Sequence, residues 1–439
     1  MTCTPFIAYL RGKLCDFRRA QGGNIAIIFG LSAIPVVGLM GAAVDYSRAY
    51  SAKSAMQGAL DATGLTLSKE AQSLTKEKLD EKALKYFLAN FNRPDATDVK
   101  IVPVFTDLNN GKYKLDISGT ANVPTTISGL WQDKMAIGSE TQVIWGYKKL
   151  ELALALDNTG SMSSSGKMTQ LKIAAKNLIS TLQKAAKKDG DIKISIVPFN
   201  TDVNVGKANV SATWIKWDGS NDSWNSLNGS CSSSWYKTKS NCENAGYKWT
   251  VANHSNWNGC IWDRDQDYDV KNASPDTNIK ATLFPAHQES NCPVEMLPLT
   301  TNWANMTSKI DSMSPKGNTN VTIGMALAFQ TLSPWSPFNA AAPNTELDKV
   351  IILLTDGDNT ENRFTTSAKS IDARTKLVCD NAKAANIKVY TIRVINGNSS
   401  LLKQCATESS MYYDVQDAAQ LNTVFTTIAN SLASLRLSQ

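Results

Sequence analysis

Three short segments carry side chains that could act together on one ligand. Asp157, Thr159 and Ser161 alternate in the turn Asp157-Asn158-Thr159-Gly160-Ser161-Met162-Ser163. At that spacing an extended segment turns their oxygens to one side. Gly317-Asn318-Thr319-Asn320 offers another hydroxyl, and Thr355-Asp356-Gly357 another carboxylate. One or two carboxylates among neutral hydroxyls, without His or Cys, suit a hard divalent cation that keeps some of its water. Mg²⁺ fits first, with Mn²⁺ or Ca²⁺ as alternatives. Asp358, next door, reads as a solvated loop residue. The chain has only two histidines, His254 and His287, which argues against His-rich zinc sites and Ser-His-Asp chemistry. A metal-assisted hydrolase would need a general base near these motifs, and only the aspartates already assigned to the cation are there.

The elements that must position these residues follow a strand–helix rhythm from residue 149. Residues 150–156 (LELALAL) read as a strand delivering Asp157, and 168–188 as an amphipathic helix. Strand 193–197 follows, then strand 350–354 (VIILL) leading to Asp356, a helix near 371–385, strand 388–394 and a last helix over 418–435. Apolar strands alternating with helices predict an α/β fold, a doubly wound parallel sheet covered on both faces. Open sheets of this kind bind ligands at the carboxyl ends of their strands. The cation site is therefore expected at the surface, on that edge.

Residues 202–300 interrupt the rhythm with four cysteines, seven of the chain's 11 tryptophans and many Asn and Ser. An irregular segment of this length must be functional or stapled, and the cysteines supply staples. Its tryptophans form either a binding face or an internal packing cluster. Asp263, Asp265, Asp267 and Asp269 alternate in DRDQDYD, but Tyr268 and Ser274 stand where a calcium loop needs Gly and Glu. The run therefore reads as a solvated acidic loop.

Residues 25–44 (IAIIFGLSAIPVVGLMGAAV) are free of charge. A 20-residue helix spans about 30 Å, the thickness of a bilayer core. Arg11, Lys13, Arg18 and Arg19 precede it and Asp45 follows, so the positive-inside rule puts the N-terminus in the cytoplasm. A cleaved signal peptide is the rival reading, although a signal's apolar region is usually about 7–15 residues. Ala26/Gly30 and Gly38/Ala42 are small-residue pairs that could admit another helix. Cys3 and Cys15 fall on the reducing side. Cys231, Cys242, Cys260, Cys292, Cys379 and Cys405 fall outside, where disulfides persist. Cys379 and Cys405 sit on adjacent predicted helices and are expected to pair. The other four pair among themselves in one of three ways.

The chain's 439 residues allow two or three domains. Its net charge is +6, of which the first 23 residues carry +3, too little elsewhere for a nucleic-acid-binding face. Residues 46–91 read as helical, with Met56, Leu60, Leu67 and Leu74 on one stripe and Leu84, Leu88 and Phe91 on another; Gly58 and Gly64 suggest a break. Residues 100–105 and 112–121 alternate like strands around a turn at Asn109-Asn110-Gly111, and 141–147 is another strand. A membrane-anchored helix leading into a small antiparallel sheet resembles a pilin subunit.

The segments DxTxS (157–161), GNTN with Gly324-Met325 (317–325) and LLTDG (353–357) resemble the metal-ion-dependent adhesion site of a von Willebrand factor A domain. That resemblance implies a divalent cation held by Asp157, Thr159, Ser161, Thr319 and Asp356, the aspartates acting largely through water, with an open position for a partner's carboxylate. The family more often has Ser where this chain has Thr159. The whole chain resembles the TadG-like proteins of Flp (tight-adherence) pilus assembly, on Gln21-Gly22-Gly23-Asn24, Asp45-Tyr46, Val197-Pro198-Phe199-Asn200, Gly259-Cys260, Asp263-Arg264 and Leu332-Ser333-Pro334. No glutamate stands at the fifth position after Gly22 or Gly23, so prepilin-type cleavage is not expected. The resemblance implies a cytoplasmic tail (1–24), a transmembrane helix (25–44), a helical stalk with a small β region (45–148), and an A domain (149–439) with its insertion at 202–300. It further implies a non-enzymatic protein of the bacterial inner membrane, its bulk periplasmic, binding pilus or assembly proteins that offer an acidic residue. A surface adhesin is the alternative.

Overall fold

The computed structural model describes residues 23–108, 112–126, 129, 132–146, 148–343 and 347–435. The basic tail, Cys3, Cys15 and the turn at Asn109-Asn110-Gly111 lie outside the described residues. Contacts cluster into two units that divide between Gly146 and Tyr147.

In the first unit, helix α1 (Gly23–Leu67) runs without a break through Pro35, Gly58 and Gly64. It is the one helix among the described residues long and apolar enough to cross a membrane. Its apolar stretch is exposed on every side (Ile25 73%, Phe29 72%, Leu39 72%), as expected of a helix without a polar face. From Asp45 onward the pattern changes. Asp45, Ala49, Ala52, Met56, Leu60, Thr63 and Leu67 are buried at steps of three and four. Asp45 Oδ1 accepts from the Thr126 backbone N–H (2.9 Å) and hydroxyl (2.6 Å). The break expected at Gly58 or Gly64 falls just beyond them, since α1 ends at Leu67 and residues 68–75 separate it from the next helix. Gly64 itself allows close packing, as a Cβ there would lie 2.7 Å from Val143 Cγ2.

Helix α2 (Lys76–Asn90) is capped by Thr75. It buries Leu79, Ala83 and Phe87, with Phe91 next on that stripe, while Leu84 and Leu88 stay exposed. Both stripes are apolar, and the i, i+4 row with two aromatic rings is the one that packs. Strands β1 (Thr97–Asp107), β2 (Lys112–Pro124) and β3 (Lys134–Gly146) form an antiparallel sheet in that order.

In the second unit, β4 (Lys149–Asp157), β5 (Ile192–Phe199), β9 (Leu347–Thr355), β10 (Lys388–Val394) and β11 (Tyr412–Val415) are parallel, in the order β5-β4-β9-β10-β11. The expected parallel sheet is mixed at one edge. There the insertion adds β6 (Val203–Asn204), β7 (Cys260–Ile261) and β8 (Leu297–Thr300), all antiparallel to their neighbours. This closes an edge that would otherwise present unpaired backbone.

Alternation along β4 sends Leu150, Leu152, Leu154 and Leu156 to one face and Ala153 and Ala155 to the other. The leucine face forms a core with α3 (Lys167–Ala185), α4 (Trp303–Ser312) and α8 (Leu421–Leu435). The alanine face forms one with α5 (Val321–Thr331) and α6 (Ala368–Ala384), and small side chains let α5 approach closely. Gly324 of α5 is required there, since a Cβ would lie 2.4 Å from the Phe199 ring. Helix α7 (Ser399–Cys405) is tied to α6 by the Cys379–Cys405 disulfide.

The insertion contains the disulfides Cys231–Cys242 and Cys260–Cys292. Its tryptophans make a core: Trp224 and Trp257 are 1% exposed and meet Trp217 edge-on, which in turn stacks on His254 at 3.9 Å. The acidic run is not a solvated loop. Asp263 and Asp269 are 3% exposed, Arg363 bridges Asp265 (2.7 Å) and Asp222 (2.6 Å), and Arg374 takes Asp269 and Asp267 (each 2.9 Å). Lys216 completes Asp265 at 2.6 Å. The run clasps the insertion to the loop after β9 and to α6, so its partners lie about 100 residues away in sequence.

Candidate metal centre

Strand β4 ends in Asp157, fully buried, whose two carboxylate oxygens organise the surrounding loops. Oδ1 accepts from the Thr159 N–H at 2.8 Å, and this Asx turn bends the chain back toward its strand. Oδ2 accepts from the Thr355 hydroxyl at 2.7 Å and from the Asp356 N–H at 3.3 Å, joining the ends of two parallel strands. Burial, and then the neighbouring Asp356 carboxylate, push the Asp157 carboxyl up to about 6.

The other oxygens gathered here are mostly hydroxyls. Thr159 Oγ1 and Ser161 Oγ lie 2.8 Å apart, and the Ser161 hydroxyl donates to Asp356 Oδ1 at 2.5 Å. A point one Cβ out from Gly357 lies 3.5 Å from Thr319 Oγ1 and 3.6 Å from Ser161 Oγ, so the third segment converges on the same place. Reciprocal bonds hold it there. Thr319 N–H donates to the Thr360 hydroxyl (2.8 Å) and Thr360 N–H to the Thr319 carbonyl (2.9 Å). Gly160 N–H donates to the Gly317 carbonyl at 3.0 Å. Asn320 caps α5 and donates through Nδ2 to Asp263 Oδ2 at 2.8 Å, linking this loop to the clasp.

The five sequence-derived candidates are thus gathered in two roles. Thr159, Ser161, Thr319 and Asp356 bring their oxygens together, while Asp157 is turned to the backbone and to Thr355. The site is not simply superficial. Asp157, Thr159, Thr319 and Asp356 are all buried to 4% exposure or less, and Ser161 is the exposed member. An all-oxygen donor set with neighbouring hydroxyls 2.8 Å apart, close to the ~3 Å edge of an octahedron with ligands at ~2.1 Å, fits a cation of Mg²⁺ size.

Two participants were missed in the sequence. Thr355 braces Asp157, as its place before an aspartate at a strand end could have suggested. Lys167 is 2% exposed and its Nζ lies 2.7 Å from Asp356 Oδ2. It is the first residue of α3, where the helix dipole disfavours a cation, and that mismatch was the available signal. Asp358 is exposed, as its loop position suggested.

Asp202, His287 and Glu289 form a second group whose ligand-type atoms lie within 4.8 Å of one another. Asp202 is engaged on both oxygens, by Trp262 Nε1 (3.1 Å) and His287 Nδ1 (2.6 Å), with the Trp262 and His287 rings stacked at 3.5 Å. It is a hydrogen-bonded brace beneath a cavity of about 120 Å³ that also touches Gly317 and Asn318.

Family models match two parts of the chain. The Flp pilus-assembly TadE/G-like model matches residues 23–65, and the von Willebrand factor type A domain model matches residues 275–427. The second range contains Thr319 and Asp356 but not Asp157, Thr159 and Ser161, which lie before the insertion. No curated protein matches by sequence. Among solved structures, the chain is similar to the pilus adhesin SpaC of Lactobacillus rhamnosus GG (12% identity, 79% of this chain and 36% of that one, TM-score 0.38). It is also similar to the vWF domain of the type V pili tip protein Mfa5 of Porphyromonas gingivalis (11% identity, 66% and 97%, TM-score 0.39). A third is proximal thread matrix protein 1 from the mussel byssus with a zinc-occupied MIDAS motif (12% identity, 65% and 48%, TM-score 0.35). The chain spans about a third of the length of SpaC, 36%. This chain joins a TadE/G-like segment to a von Willebrand factor type A domain.

Proposed function

We propose that the chain is a single-pass protein of a bacterial inner membrane whose A domain, on the periplasmic side, binds a protein partner of the pilus through a divalent cation. The observation that carries this reading is the convergence of Thr159, Ser161, Thr319 and Asp356 from three loops, with Ser161 left exposed. When bound, the cation would supply an open coordination position for a carboxylate of the partner. Thr159, Ser161 and Thr319 would hold it by neutral oxygens, so little of its charge is cancelled and it stays a strong acceptor. Asp157 ties the loops after β4 and β9 together rather than reaching outward. The basic tail before α1 and Asp45 after its apolar stretch favour an N-in orientation.

Two measurements test the reading. Binding of the full-length protein in detergent to purified pili of the same system should occur in Mg²⁺ and be lost in EDTA; binding unaffected by EDTA would refute the cation's part in it. A reporter active only in the periplasm, fused after Gln439, should be active, and activity only from a cytoplasmic reporter would reverse the topology.

A further inference from the structure

Lys167 is buried against the proposed cation site and has no part in the reading above. Its ammonium contacts Asp356 Oδ2 at 2.7 Å and the Ser161 carbonyl oxygen at 3.4 Å, and its side chain is 3% exposed. The other oxygen of the same carboxylate accepts the Ser161 hydroxyl at 2.5 Å. The ammonium is thus one carboxylate away from the hydroxyls that would hold the metal. A buried ammonium at the positive end of a helix is unfavourable unless a carboxylate compensates it, and Asp356 is that carboxylate.

We propose that Lys167 is a tethered competitor of the divalent cation. Its charge neutralises Asp356 in the cation-free protein, weakens metal binding, and makes the metal-loaded site electron-poor toward an incoming carboxylate. The inference rests on the metal-binding reading given above and adds a residue and a direction to it. The charge count is simple: Asp157 and Asp356 bring two negative charges and Lys167 one positive, a sum of minus one. A divalent cation takes the sum to plus one, and a partner carboxylate returns it to zero. Without the lysine the same states carry minus two, zero and minus one. The metal would then be held tightly, and the partner's carboxylate would meet no excess positive charge. With the lysine, cation and partner are favoured together over cation alone.

The test is Mn²⁺ binding to the full-length protein in detergent micelles, read by electron paramagnetic resonance of free Mn²⁺, for wild type, Lys167→Met and Lys167→Arg. Removing a positive charge this close should tighten Mn²⁺ binding by Lys167→Met roughly tenfold or more, with Lys167→Arg staying within about threefold of wild type. Binding by Lys167→Met only as tight as wild type, or weaker, overturns the competitor role and leaves the metal reading standing. Absence of Mn²⁺ binding in wild type and both variants overturns both. If Lys167→Met folds only when Mn²⁺ is added, as followed by circular dichroism, the cation has replaced the ammonium and the proposal is supported. Failure to fold with and without Mn²⁺ makes the lysine a purely structural partner of Asp356 and overturns it.

Discussion

In the insertion clasp, each of Asp222, Asp265, Asp267 and Asp269 faces a guanidinium or an ammonium, and Arg363 and Arg374 each serve two of these aspartates. At the carboxyl ends of β4 and β9, two carboxylates meet a single ammonium: Asp356 takes Lys167 and the Ser161 hydroxyl, and Asp157 only the Thr355 hydroxyl and backbone N–H groups. Planar guanidinium groups pair two-on-two with Asp222 and Asp269, so each of these carboxylates is already neutralised by a fixed partner. Hydroxyls and a single ammonium leave the site under-neutralised. Acidic residues are abundant in both places, so it is the kind of cation already present that separates a structural clasp from a binding site.

The contrast can be broken first on its structural side. Trp257 is buried within the insertion, its Nε1 donating to the Cys260 carbonyl at 2.7 Å. Trp257→Ala should cost about 3–5 kcal/mol by urea denaturation, whereas Trp235→Ala, 87% exposed, should stay within about 0.5 kcal/mol. Comparable losses would mean that the insertion lacks the core described. Arg363→Ala strips Asp222 and Asp265 of their shared partner and should cost roughly 2–3 kcal/mol, less than a fully buried pair because both aspartates are about a third exposed. If the clasp and the site are separate devices, this variant keeps most of its Mn²⁺ affinity.

A smaller effect concerns pH. Burial pushes the Asp263 carboxyl up to about 7. The folded chain therefore holds a proton that the unfolded chain releases above about pH 4. The stability contribution is intact below that pH and is lost as pH rises to about 7. Asn at this position still offers an oxygen to Asn320 Nδ2 and the Arg363 N–H, so Asp263→Asn should flatten the decline. Urea midpoints at about pH 5 and about pH 7.5 check it, and an unchanged slope would assign the pH dependence elsewhere.

What the sequence made legible was local. LELALAL and VIILL read as buried parallel strands because they are apolar apart from Glu151, and Asp157, Thr159 and Ser161 read as one group because a turn of that spacing gathers them. What escaped depended on distant partners. Strands β6, β7 and β8 are two to four residues long and exist only by pairing with an existing edge. The run DRDQDYD looked solvated because Arg363 and Arg374 lie far along the chain. Leu84 and Leu88 competed with Leu79, Ala83 and Phe87 on equal apolar terms, and only packing chose between them. Lys167 sits on a helix start ten residues past Asp157, where a cation is out of place, but its partner Asp356 lies 189 residues further on.

The most direct test of the open site is Mn²⁺ titration of wild type against Ser161→Ala, because Ser161 is exposed and its loss removes an oxygen without emptying core volume. The expected result is a fall in Mn²⁺ affinity of roughly tenfold or more, with a stability cost of about 1–3 kcal/mol because buried Asp356 loses the hydroxyl it accepts from. Equal Mn²⁺ affinity in the two proteins would contradict the site.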